Sequence, residues 1–227
     1  MSSSVKVVAA AVGLLAVTNL AWGADLAPPL APAPYSWTSL YIGLNAGYAS
    51  TTVANALSGG ASGAGSASIP GGMGGAQIGA NYQIGAMVLG FEADFDGSMA
   101  TKSISAGILS GTDQIPWIGT LRGRVGVAFD RFLLYATAGG AATQLISTVN
   151  VGAIGSASTS FTHGAWTAGG GLEAAITNDL SARVEYLYVD AGNINVAQVG
   201  PPFVTVTGRM QDNLVRAGLN YRLPVAW

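Results

Sequence analysis

The chain has 227 residues, half of them hydrophobic and 9% charged, with 33 glycines and a formal net charge of −2. So small and slightly acidic a charge argues against a nucleic-acid surface, and the absence of cysteine excludes a disulfide, a thiol nucleophile or a thiolate metal site. After the first 24 residues no run approaches the roughly 20 apolar residues of a spanning helix, which leaves a large core or a closed β-barrel, the other structure that crosses a bilayer with every backbone group hydrogen-bonded.

Residues 1–23 read as a signal peptide: Lys6 gives a positive start, VVAAAVGLLAV (7–17) an apolar run, and Ala21 and Gly23 the small residues of a cut before Ala24. Residues 24–38, beginning ADLAPPLAPAPYSW, form a Pro/Ala segment expected to be an extended periplasmic leader. From 39 to 227 a barrel is expected.

Eight stretches then alternate with period two, which puts successive side chains on opposite faces of a strand. They are SLYIGLNAGY (39–48), GGAQIGANYQI (74–84), VLGFEADFD (88–96), WIGTLRGRVGVA (117–128), LLYATAGGAA (133–142), AWTAGGGLEAAI (165–176), LSARVEYLYVD (180–190) and NLVRAGLNYRL (213–223). The third is the clearest, with Leu89, Phe91, Ala93 and Phe95 set against Gly90, Glu92, Asp94 and Asp96. Each stretch is long enough, or nearly so, for a tilted membrane strand.

The connections alternate in length. Those at 85–87, 129–132 and 177–179 are short, whereas 49–73, 97–116, 143–164 and 191–212 are long and rich in Gly, Ser, Thr and Ala. Short periplasmic turns and long extracellular loops are the pattern of an outer-membrane barrel with both termini in the periplasm. The fold expected is therefore all-β, an eight-stranded antiparallel up-and-down transmembrane β-barrel. Weak alternation within the long segments also admits strands that continue above the membrane, or a count of ten.

Opposite the apolar rows lie Glu92, Asp94, Asp96, Glu173 and Glu185, together with Arg122, Arg124, Arg183, Arg216 and Arg222. On a soluble protein these would face water, but such a surface carries many more lysines, and beyond residue 23 this chain has only Lys102. In a membrane barrel the apolar rows face lipid and the charged rows face a lumen only wide enough for side chains. Charges there must pair, so an Arg–carboxylate network filling the lumen is expected. Glycines in the strands would make room for the long Arg and Tyr side chains, Tyr41 among them. An ion-selective constriction is the functional alternative.

The row Leu219, Tyr221, Leu223, Val225, Trp227 runs to the chain end and is similar to the C-terminal signal of outer-membrane barrels, although Pro224 lacks an N–H. Strand-end aromatics such as Trp117, Trp166, Tyr186 and Tyr188 suit interfacial girdles.

Several segments together, YSWTSLYIGLNAGY, WIGTLRGRVGVAFDRFLLYATAGGA, GAWTAGGGLEAAITNDLSARVEYLYVD and NLVRAGLNYRL, resemble the small surface-antigen β-barrels of alphaproteobacteria, the outer-membrane immunogenic protein or porin family group. The group is distantly related to the membrane domain of outer membrane protein A, and the match runs from about residue 35 to 223. The resemblance implies an abundant protein in the outer membrane of a Gram-negative cell, exposed outside and contributing to envelope integrity. Its expected partners are outer-membrane lipid and lipopolysaccharide, periplasmic chaperones and the barrel assembly machinery, with an unknown extracellular ligand at the loops.

Catalytic chemistry is not legible. The one histidine, His163, has no second ligand at metal spacing, and neither a G-x-S-x-G elbow nor a phosphate loop occurs. The expectation is a structural barrel that is not an enzyme and carries no cofactor or metal. A small diffusion pore and a soluble lipocalin-like barrel that binds ligands inside are the alternatives.

Overall fold

Period-two alternation gives strands, and the computed structural model closes them into a ring. It describes residues 35–59, 63–106, 109–151, 155–199 and 204–224. The elements are β1 (Ser39–Gly59), β2 (Gly63–Ile84), β3 (Met87–Ala106), β4 (Leu109–Phe129), β5 (Phe132–Val151), β6 (Gly155–Ala175), β7 (Leu180–Val199) and β8 (Val204–Arg222). Each pairs antiparallel with its sequence neighbours, and β1 pairs with β8 to close the barrel. Among the described residues eight strands, not ten, make the wall.

The strands are about twice as long as the alternation predicts. The segments expected as long loops, 49–73, 97–116, 143–164 and 191–212, are largely continuations of the strands, still paired at Ala56↔Ala64, Ser105↔Ser110 and Asn150↔Ser156. Their Gly, Ala, Ser and Thr side chains carry little hydropathy contrast, so cross-strand pairing extends where periodicity fades. At the other end the connections are tight. Gly85-Ala86 and Asp130-Arg131 are two-residue turns with positive φ at Gly85 (61°) and Asp130 (51°), the backbone that such hairpins require.

The apolar rows point outward. Phe91 is 73% exposed and Leu44 69%, whereas Glu92, next to Phe91, is 3% exposed. A lipocalin-type barrel turns its apolar rows the other way, so that reading fails. The apolar band is bordered by aromatics: Tyr82, Phe129, Phe132 and Tyr221 near the turn end, and the pairs Phe95–Trp117 (5.5 Å) and Trp166–Tyr188 (5.4 Å) towards the far end. On β8 the band comprises Val215, Ala217, Leu219 and Tyr221. Beyond it the same outward row turns polar at Asn213, Gln211 and Arg209, which marks where the strand leaves the bilayer.

Candidate functional site

The inward rows fill the barrel in layers. Nearest the turns, Trp37, Val88, Leu133, Tyr135 and Ala175 pack together. Next comes a charged layer. Above it lie Ala49, Met73, Ile118, Ala141, Leu187, Val189 and Leu214, and above those Ile69, Ala100, Ile115 and Met210.

The charged layer is built by register. Antiparallel pairing sets Glu92 opposite Arg122 on β4 and Glu185 opposite Arg216 on β8. Arg122 and Arg216 then reach across the lumen. Arg122 donates from Nη2 to Glu92 Oε1 at 2.5 Å and Asp94 Oδ2 at 2.7 Å, from Nη1 to Glu185 Oε1 at 2.9 Å, and from Nε to Thr120 at 2.8 Å. Arg216 donates to Glu185 Oε2 (2.8 Å), Asp96 Oδ2 (2.7 Å) and both oxygens of Asp94 (3.0 and 3.1 Å). Arg183 donates to Glu92 as well.

A second limb lies closer to the turns. Arg124 donates to Glu173 Oε2 at 2.8 Å and to the Tyr41 hydroxyl at 3.0 Å, and its guanidinium stacks 3.9 Å from the Tyr135 ring centre. The Tyr41 hydroxyl in turn donates to Glu92 at 2.6 Å, and Ser181 and Asn220 donate to Glu173. Two glycines make this possible by close approach: a Cβ on Gly79 would lie 2.3 Å from the Tyr41 hydroxyl, and one on Gly171 would lie 2.7 Å from that of Tyr135. Beside the ions Gln77 bridges Asn45 and Asn220, at 2.8 Å each.

Nine of the ten residues expected in the lumen are thus brought into one buried cluster, five carboxylates against four guanidiniums. The exception is Arg222. It lies on the inward row but at the strand end, where its guanidinium sits 4.9 Å from the Tyr35 ring centre and bonds the Ser36 carbonyl. The alternation gives a side chain's face and not its depth. Trp37, expected in the leader or at the interface, is instead buried in the mouth, its Nε1 donating to the Asp130 carbonyl (3.1 Å) and its backbone N–H to Gln83 (2.6 Å). Of the C-terminal row, Leu219 and Tyr221 face outward; Val225 and Trp227, like the expected signal peptide and most of the leader, lie outside the described residues.

Sequence reasoning missed the apolar layers of the lumen. Leu187 and Leu214 are paired across β7 and β8 and are almost wholly buried. Their signal was the parity: they stand on the rows that carry Arg183 and Glu185 on β7 and Arg216 on β8. Asp212, in the same layers, is 4% exposed, and its Oδ1 has no partner among the described residues. It lines a cavity of about 10 Å³ with Thr51, Ser98 and Ile115. Burial pushes this carboxyl up to about 6, against a smaller pull from the Thr51 hydroxyl.

A closed antiparallel ring with a greasy exterior and a polar, paired interior defines a transmembrane β-barrel. The chain belongs to the outer membrane protein beta-barrel domain family, which matches residues 7–222. It is similar to the 31 kDa outer-membrane immunogenic protein of Brucella melitensis, with 38% identity over 86% of this chain and 88% of that protein. It is similar also to the 25 kDa outer-membrane immunogenic protein of Brucella abortus, 33% identical over 96% and 97%. Among solved structures, Neisserial surface protein A aligns with a TM-score of 0.45 at 13% identity, covering 81% of this chain and 97% of that one. The protein is an outer-membrane β-barrel of the Gram-negative envelope, of the surface-antigen type.

Proposed function

We propose that this barrel is a structural element of the outer membrane whose lumen is plugged, and whose long strand extensions make the contacts outside the cell. The observation that carries this reading is the pair Arg122 and Arg216, each about 1% exposed, whose guanidiniums tie opposite walls together across the full lumen. An ion in transit would have to break several charge-assisted bonds and also pass three apolar layers, one on the turn side of the network and two beyond it.

In outer-membrane barrels the short turns face the periplasm. On that rule Trp37 and Tyr35 cap the periplasmic mouth, and the strand extensions project outward. Acyl chains of lipid and lipopolysaccharide would cover the apolar rows. The C-terminal sequence row Leu219, Tyr221, Leu223, Val225 and Trp227 would be the segment that periplasmic chaperones and the assembly machinery read.

Planar-bilayer recording tests the plug. Purified protein is expected to give no stepwise conductance, and Arg124→Ala, which removes one limb of the network, is expected to give none either, because the Arg122 and Arg216 contacts remain. Steps that scale with salt in the wild type would overturn the proposal in favour of a pore.

A further inference from the structure

Above the bilayer the barrel wall divides. β5 and β6 stay paired out to Val151↔Gly155, and β7 and β8 out to Val199↔Val204, but among the described residues β6 and β7 pair only as far as Trp166↔Asp190. Among the described residues the outer part of β6, Gly155–Ala165, therefore has a strand on one edge and none on the other.

The division is built into β7. A bulge falls between Asp190 and Gly192, with Gly192 at φ 71°, and bulges both bend a strand and end its pairing. Asp190 Oδ1 accepts the Gly192 N–H at 2.8 Å and its Oδ2 accepts from Arg209 of β8 at 2.6 Å, which fastens β7 to β8 and away from β6.

A second seam, between β2 and β3, also loses its ladder beyond Met73↔Ser98, but it is closed by other means. Ala100 packs against the Gly71 backbone, and Lys102 Nζ donates to the Ser68 carbonyl at 3.0 Å. An edge lysine is a common guard against strand addition. The β6 edge has no such guard: Gly155–Ala165 contains no Lys, Pro or ionised carboxylate, and its small side chains are exposed on both faces from 155 to 160. A Cβ built on Gly164 meets nothing within 4 Å.

We infer that the outer edge of β6 is a docking edge for an extended peptide segment of another protein outside the cell, which adds antiparallel to Gly155–Ala165 by main-chain hydrogen bonds. This rests on the reading of the strand extensions as the contact surface and names the kind of partner they take. Two upright copies in one membrane run their β6 strands in the same direction, so β6 cannot pair antiparallel with β6 of a neighbour, and the β7 edge is drawn towards its own β8. The partner's chemistry follows from the edge. The segment is uncharged, and its inward side chains are apolar where they meet Phe161, which neighbours His163 at 6.1 Å on the inner face.

The probe is a labelled nine-residue peptide of sequence TQLISTVNV, residues 143–151, which already pairs antiparallel with this stretch of β6 from its other side. Titrated against the full protein in micelles, it is expected to bind saturably and to slow hydrogen exchange at alternate amides of Gly155–Gly164. Ser160→Lys is expected to weaken binding at least tenfold without changing the heat-dependent gel mobility of the barrel. Absence of saturable binding would overturn the inference, as would exchange protection of these amides in the free protein or protection that rises with protein concentration, the mark of a second copy. The plugged-barrel proposal is tested by conductance and would survive any of those results.

Discussion

Asp212→Asn isolates one buried charge. The Asp212 carboxyl lies beyond the outward Asn213, inside the barrel but outside the bilayer, and burial holds it at about 6 against the ordinary 3.8. A difference of about 2.2 pH units at 1.36 kcal/mol each is on the order of 3 kcal/mol. The sign follows from proton binding. Between pH 4 and 6 the folded protein holds a proton on Asp212 that the unfolded chain has released, so folding stability falls as pH rises through this window and the full penalty is present above it. The assay is urea unfolding of the protein in liposomes, followed by tryptophan fluorescence, for wild type and Asp212→Asn from pH 3.5 to 8. The two are expected to converge at low pH, with the variant gaining about 3 kcal/mol over wild type by pH 7. A stability difference that does not change with pH would refute the assignment of an unpaired carboxyl to this layer.

Three further outcomes are expected. Arg216→Met leaves Glu185, Asp94 and Asp96 short of their shared donor and should cost about 3–5 kcal/mol in the same unfolding assay. Phe91→Arg places a cation on the lipid face beside the buried Glu92, and should cost about 2–4 kcal/mol in liposomes if that row faces the bilayer centre; a cost near zero would argue against the orientation. Trp37→Ala removes the side chain that fills the mouth at the turn end and should cost about 3–5 kcal/mol, measured as a fall in the urea midpoint with unchanged barrel circular dichroism.

Alternation exposed the strands wherever the two faces differ strongly in polarity, as at Phe91 beside Glu92. It therefore located the eight membrane-crossing stretches and the inward charges, Arg122 and Arg216 included. It failed where both faces are small, as along Gly155–Ser160, because there register is set by backbone pairing alone. It also failed on inward apolar residues. Leu187 and Leu214 are held inside by the same parity that holds Glu185 and Arg216, and a lumen has room for hydrocarbon as well as ions. Depth along the axis was the third blind spot: Arg222 has the right face and the wrong height.

The most connected cation, Arg216, sits on the final strand. A partly assembled sheet of β1 to β7 holds Asp96 without its counterion, and Asp94 and Glu185 with Arg122 as their one hydrogen-bonding guanidinium, a state that desolvation disfavours. Arrival of β8 supplies the missing cation and the β1 seam in one step. The lumen thus doubles as a lock on assembly, one that opposes any premature sealing of a seven-stranded ring.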